Sequence, residues 1–453
     1  MKTAILSLML FLLTMTIFAQ QPEWEWAQQI TYPADWKMAL DVESNIYMTG
    51  EFDSTAVFGS TILTCKGTRD CFVAKMSKDG KWLWAVQTDN TTDVKGNCID
   101  VDASGNIIIS GTFTGKCKFG NTTLTCTGEA DIFVAKLDNK GNWLWATQTG
   151  GDSYAGVLYL KTDAQENIFI SGKFQAIAAF GDTILYSLPT CFISKLDTNG
   201  KWLWSKKISS KSDIPHPISL DKYGNMYFSG NFSGNVTVAD SMLACSGLFN
   251  SFVAKLDANG KLQWLARNVG RYGTTVWSIA TDAEGNSYIT GNGTQDVEFG
   301  KYRVDCGLIN IFVAKLDSNG NWLWVRKADS KDYQFATCVS LDNAGNPVIT
   351  GNFSGKTRLG SFKLQKSGDW DMLVASLSKK GKWLWAIQAG GKSNAEGHTL
   401  LIDKDNNAFI AGLYYSDDMI LGKQILRLSG HDTDNFIAKL KLSSTVTLGY
   451  PDK

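Results

Sequence analysis

An all-β fold made from one repeated unit is predicted by three observations. Three short motifs recur seven times each in the same order, the period is close to 60 residues, and the segments between them read as strands and tight turns. The first motif is an aromatic strand: Trp24-Glu25-Trp26, Trp82-Leu83-Trp84, Trp143-Leu144-Trp145, Trp202-Leu203-Trp204, Leu262-Gln263-Trp264, Trp322-Leu323-Trp324 and Trp383-Leu384-Trp385. Successive second Trp residues stand 58, 61, 59, 60, 60 and 61 apart. The second motif is an Asp-led turn entering a strand that ends in Gly, starting at Asp41, Asp102, Asp163, Asp221, Asp282, Asp342 and Asp403. The third is Phe-Val-Ala-Lys-Leu and its variants, from Phe72, Phe133, Phe192, Phe252, Phe312, Leu373 and Phe436. A period of this length with strand content points to propeller blades and away from a helical solenoid. The sequence therefore predicts a seven-bladed β-propeller of four-stranded antiparallel blades.

Each strand follows from local chemistry. Runs such as Ile107-Ile108-Ile109 and Phe133-Val134-Ala135 are β-branched and aromatic at strand length. Asp257-Ala258-Asn259-Gly260 links the third motif to the aromatic strand. Its Asn-Gly supplies the positive φ of a tight hairpin, and its Asp bonds its own turn. We label the strands of a unit A to D. A ends at the Asp, B ends at the Gly, C is the Phe-Val-Ala-Lys-Leu run and D carries the Trp pair. No stretch has a helical period. The chain opens on a D strand and ends on a C strand, so seven complete sets require Trp24–Gln29 to pair beside Phe436–Leu440. That pairing would close the ring.

A single propeller over residues 20–445 overrides the two or three domains that 453 residues would ordinarily suggest. Residues 1–19 read as a secretory signal peptide: Lys2, an apolar run from Ala4 to Ala19, then Gln20, Gln21 and Pro22, with cleavage after Ala19. The run is short for a membrane span, and no second apolar segment of spanning length follows. A secreted or periplasmic protein is expected, with a short tail at 446–453. Basic and acidic residues balance at 44 each, so no long-range field attracts nucleic acid or anionic lipid. The nine Cys are an odd number for a closed disulfide framework. Cys117 and Cys126 flank the turn at Gly120-Asn121 and form the leading candidate bridge, with Cys65 and Cys71 as a second.

The run Asp-x-x-Gly-Asn, Ser/Thr-Gly, Phe-Gly and Phe-Val-Ala-Lys-Leu-Asp-x-Asn-Gly-x-Trp-Leu-Trp resembles the bacterial β-propeller repeat family called SBBP, found in secreted proteins notably of Bacteroidetes. The resemblance covers nearly all of residues 24–440. It implies a scaffold, with no shared catalytic residues to carry over. Such proteins often bear a C-terminal sorting domain, which is not expected after the last strand here.

Spacing separates two faces. From the start of strand C to the second Trp of strand D is 12 residues in all six continuous copies, and the A–B turn is equally constant. The D–A and B–C connections vary, and variable loops on a fixed scaffold carry binding. The D–A loops carry Trp36, Asp93, Tyr154, His216, Tyr272, Tyr333 and His398, the candidate ligand-binding residues for a glycan or protein. Phe58-Gly59, Phe119-Gly120, Phe180-Gly181 and Phe299-Gly300 read as apolar plugs beside a small hairpin arm, which unit four replaces with Val238-Ala239. Recurring Lys75, Lys136, Lys195, Lys255, Lys315 and Lys439 read as structural ion pairs or snorkelled stems, with Ser376 the exception. Asp100-x-Asp102 resembles part of a calcium loop, but the matching positions elsewhere are Ala39, Lys161, Ser219 and Ala280. His216, His398 and His431 form no metal-spaced set, and no hydrolase, Walker or dinucleotide motif occurs, so neither metal nor cofactor is expected. The leading function is an exported binding scaffold. A polysaccharide-acting hydrolase or lyase and a structural component of the cell envelope are the alternatives.

Overall fold

The computed structural model describes residues 21–30, 36–151, 154–210, 217–415, 418–430 and 432–442. The expected signal peptide, the C-terminal tail, His216 and His431 lie outside the described residues. Within them every regular element is a β-strand. Six sheets have four strands and one has six, and each contains a unit's A, B, C and D strands in antiparallel order. Sheet 2 shows the pattern: Val94–Val101, Ile107–Phe113, Asp131–Leu137 and Trp143–Gln148. The A strands of the other six are Trp36–Leu40, Ala155–Thr162, Ile218–Leu220, Thr274–Thr281, Gln334–Leu341 and Ala395–Ile402. Sheet 7 is assembled from both ends of the chain. Its fourth strand, Glu23–Ile30, runs antiparallel to Thr433–Lys441, with Trp24 opposite Leu440 and Gln29 opposite Phe436.

The B–C segments form the hairpin arms, such as Thr55–Phe58 with Thr61–Thr64. Among the described residues the arms of units two to seven are also paired by the preceding unit. Asp89–Asn90 pairs with the arm strand Lys116–Phe119, and Val269–Gly270 with Asp296–Phe299. Between units three and four this contact is long enough to join the arm to strand Trp202–Ser210, giving the six-stranded sheet.

The sheets pack face to face through the Trp strands. The first Trp of a pair lies edge-on against the arm's Phe, as in Phe58 with Trp82 at 4.9 Å and Phe119 with Trp143 at 5.1 Å. Those Phe side chains are buried, so Phe-Gly is the expected apolar plug, and its Gly takes the positive φ of the arm turn. The second Trp crosses to the next sheet. Its indole N–H donates to a carbonyl of the next unit's C–D turn: Trp26 to Lys78, Trp84 to Asn139, Trp145 to Thr198, Trp204 to Ala258, Trp264 to Ser318 and Trp324 to Lys379.

Five of the six recurrent lysines are ion-paired to the turn-forming aspartates, as in Lys75–Asp41 at 3.6 Å, Lys136–Asp102 at 2.7 Å and Lys315–Asp282 at 3.8 Å, whereas Lys439 pairs with Glu25 of the N-terminal strand at 2.9 Å. Each Asp also closes its own turn, accepting bonds from two backbone N–H groups, as Asp102 does from Ser104 and Asn106. Where the strand-B residue above the pair is aromatic, the ammonium lies over its ring, as Lys75 over Tyr47 and Lys315 over Tyr288. Asp100 accepts from Thr162 N–H at 2.8 Å and lies 3.4 Å from Lys161 Nζ, so its carboxylate serves the joint between sheets 2 and 3.

Two outcomes test these contacts. Lys136→Met strands the buried Asp102 carboxylate and should cost about 3 kcal/mol in urea unfolding, because breaking one partner of a buried pair leaves an uncompensated charge. Lys66→Met, which breaks the exposed pair with Asp89, should fall within about 0.5 kcal/mol of the parent. Removal of residues 21–30 should lower the thermal midpoint by several degrees in calorimetry; an unchanged midpoint would mean that this strand contributes nothing to the fold.

Candidate functional site at the channel mouth

The A strand of each sheet packs against the A strand of the next, and that of sheet 7 against that of sheet 1. Among them lies a cavity of about 840 Å³ lined by all seven A strands. Its wall is shaped by a repeated irregularity. In five A strands one residue is unpaired, so the register slips there against strand B: Asn97, Leu158, Trp277, Thr337 and His398. Bulges of this kind re-aim a side chain and concentrate beside functional sites. All five line the cavity.

The bulge explains the recurrent Gly of strand B, which is expected from the sequence at the strand's end and which the structure places inside it, as Gly111 in Ile107–Phe113. A Cβ at Gly111, Gly172, Gly291, Gly351 or Gly412 would run into the carbonyl oxygen of Lys95, Gly156, Thr275, Phe335 or Glu396 on the bulged strand. The bulge thus requires glycine opposite it.

The end of the cavity at the D–A and B–C loops is asymmetric. Sheet 5 contributes Trp277, 40% exposed, with its indole N–H held on Asn292 Oδ1 at 2.8 Å. Sheet 6 contributes Phe335 and Trp370, whose ring centroids are 5.6 Å apart, and Asn352, whose Oδ1 accepts from Gly397 N–H at 3.0 Å. Sheet 7 adds Glu396 and His398, bonded Oε2 to Nε2 at 3.0 Å, and sheet 1 adds Lys37. The opposite side carries Asn97, Leu158 and Tyr159. Deeper in, burial pushes the Cys98 thiol up to about 12 and the Cys338 thiol and Tyr159 hydroxyl above their ordinary ranges. Those thiols are held protonated, so they lack the thiolate that nucleophilic chemistry uses. Among the described residues no group of three or more His, Cys, Asp and Glu is arranged to hold a metal ion.

The sequence-expected ligand residues are not brought together as one ring. His398 lines the cavity, and Trp36 borders a small cleft beside it between sheets 7 and 1 while packing into the core. Asp93 is tied to Arg69 Nε at 2.7 Å, a structural pair between units 1 and 2. Tyr154, Tyr272 and Tyr333 are exposed on the loop face outside the cavity wall, Tyr272 under the Arg271 guanidinium. Sequence reasoning missed Trp277, Phe335, Trp370, Asn352, Glu396 and Lys37. The available signal was position: Trp36, His216 and His398 stand five residues before a turn Asp, and the same count elsewhere gives Asn97, Leu158, Trp277 and Thr337.

The expected Cys117–Cys126 disulfide is corrected. All nine cysteines are free. The arm pairs Cys117 with Leu124, which places Cys126 beyond the hairpin. Its Sγ donates to Gly128 O at 3.3 Å, while Cys117 is buried in the core of sheet 2. The Cys65–Cys71 alternative fails similarly, because Cys65 turns to Gly67 O and Cys71 is enclosed in strand C.

Fold and site together define a repeat protein of β-propeller type, with a cavity framed by its inner strands. No protein-family model matches the chain. An uncharacterized WD repeat-containing protein, L264 of Acanthamoeba polyphaga mimivirus, is 21% identical over 450 residues, covering 76% of this chain and 32% of the viral protein. The chain thus spans about a third of the length of that curated relative. Similar solved structures include a fungal AA5-family alcohol oxidase in complex with copper (12% identity, TM-score 0.46, 92% of this chain and 76% of that one). Others are YCF48 bound to D1 peptide (9%, 0.44, 93% and 97%) and the gluconolactonase XC5397 of Xanthomonas campestris (13%, 0.32, 73% and 91%). Likenesses this distant assign no activity to the chain.

Two measurements check this geometry. Denatured without reductant, the protein should present nine thiols to a thiol reagent; seven would restore one disulfide. Gly291→Ala should lose roughly 1–3 kcal/mol, the usual range for overpacking a filled site, and should shift the Trp277 fluorescence that the bulge positions.

Proposed function

We propose that the chain is an exported, seven-bladed propeller of the SBBP-like kind that binds a saccharide at the channel mouth. The seven sheets are its blades, and strand Glu23–Ile30 closes the ring by completing the last of them. Cyclic packing of the A strands and the pairing of the two chain ends support this reading. The observation that carries the ligand class is the grouping of Trp277, Phe335 and Trp370 on adjacent sheets beside Asn352, Glu396 and His398. Ring faces stack on the C–H faces of sugars, and polar groups beside them take the hydroxyls. Glu396 is the single carboxylate among the described residues lining the cavity, whereas cleavage of a glycosidic bond ordinarily uses two. That favours binding over the hydrolase alternative.

A glycan array followed by titration calorimetry tests the reading. Trp277→Ala should weaken the best oligosaccharide by on the order of tenfold or more, the scale of one aromatic anchor. Tyr154→Ala, outside the cavity, should leave affinity unchanged. An array with no saccharide hit, or a Trp277→Ala variant that binds like the parent, would remove the proposal.

A further inference from the structure

We infer that the saccharide taken at this mouth is anionic, bearing a carboxylate or sulfate group that Lys37 receives; this rests on the saccharide reading above. Lys37 is exposed on the A strand of sheet 1 and lines the cavity next to His398, with which it also lines the cleft between sheets 7 and 1. The other groups of the cavity that carry or can carry charge each have a partner: Glu396 is hydrogen-bonded to His398 at 3.0 Å, and Lys161 faces Asp100 at 3.4 Å. Among the described residues no carboxylate pairs with Lys37. Lys37 and Lys161 both line the cavity, as do Cys98 and Cys338. Among the described residues Lys37 is therefore the one ammonium lining the cavity with no carboxylate in ion-pair reach, and the largely apolar walls around it focus its field on an entering anion.

Position makes the charge specific. Around the mouth, sheets 5, 6, 7 and 1 present in order an indole face, a Phe–Trp pair, a Glu–His pair and the Lys37 ammonium. A sugar ring stacked on the aromatic arc lies on the same side of the mouth as the cation, so an acidic substituent can reach it without the ring leaving the platform. A neutral glycan makes the same stacking contacts and leaves the ammonium to water.

Titration calorimetry at low salt would compare oligogalacturonate, sulfated carrageenan oligosaccharides and neutral cello-oligosaccharides of equal length. At least one anionic series should bind on the order of tenfold tighter than the neutral one, with an advantage that shrinks as salt rises. Lys37→Met should reduce anionic affinity to the level of the neutral series in the same variant, while Lys37→Arg keeps the preference. Equal affinity for neutral and anionic series, or an undiminished preference in Lys37→Met with its thermal midpoint intact, would overturn the inference and leave the saccharide reading standing. Absence of binding by all three series to the parent protein would overturn both.

Discussion

The indole N–H of the second Trp in six of the seven outer strands sets the frame on which the molecule depends. An indole enclosed between two sheets needs an acceptor for its single donor. Within its own sheet the backbone is already paired, so the acceptor is a carbonyl in the neighbouring sheet's C–D turn, as for Trp84 with Asn139 and Trp264 with Ser318. One bond thereby links adjacent sheets through the turn, and the 12-residue interval that places the turn and the second Trp is the same in all six continuous copies.

The A–B turns are constrained in the same region. Each leading Asp accepts bonds from its own turn, and five of the seven also face the lysine of strand C, so that turn shape and ion pair are specified together there. Neither device extends to the opposite face. There the arms and D–A loops are held by short edge pairings between units, such as Lys118 with Asp89. Those bonds involve backbone atoms and leave side-chain identity free. Asymmetry can accumulate on that face without disturbing the frame, and Trp277, Phe335, Glu396 and Lys37 are where it has done so.

Fold and frame were legible because the contacts that build them repeat. Seven Asp-led turns, the Phe-Gly plugs and the strand-C lysines each recur at a fixed offset, and a residue type repeated at one offset has one environment to satisfy. The candidate site was only partly legible for the converse reason. Asp93 looked like a loop-face ligand, but Arg69 lies beside it in space and 24 residues away in sequence. The proposed Cys117–Cys126 bridge failed because arm register, which sequence spacing leaves open by a residue or two, decides which side chains oppose each other.

By itself, the sequence determined strand content, turn chemistry, the repeat and the pairing demanded by a chain that begins on a D strand and ends on a C strand. These follow from local conformational preference and from counting. The tertiary structure alone decided which side chains share the channel mouth. That choice depends on bulges at Asn97, Leu158, Trp277, Thr337 and His398, each one extra residue tolerated because a glycine faces it on strand B. A bulge is invisible to periodicity, yet it turns a side chain toward the cavity that alternation would have placed elsewhere.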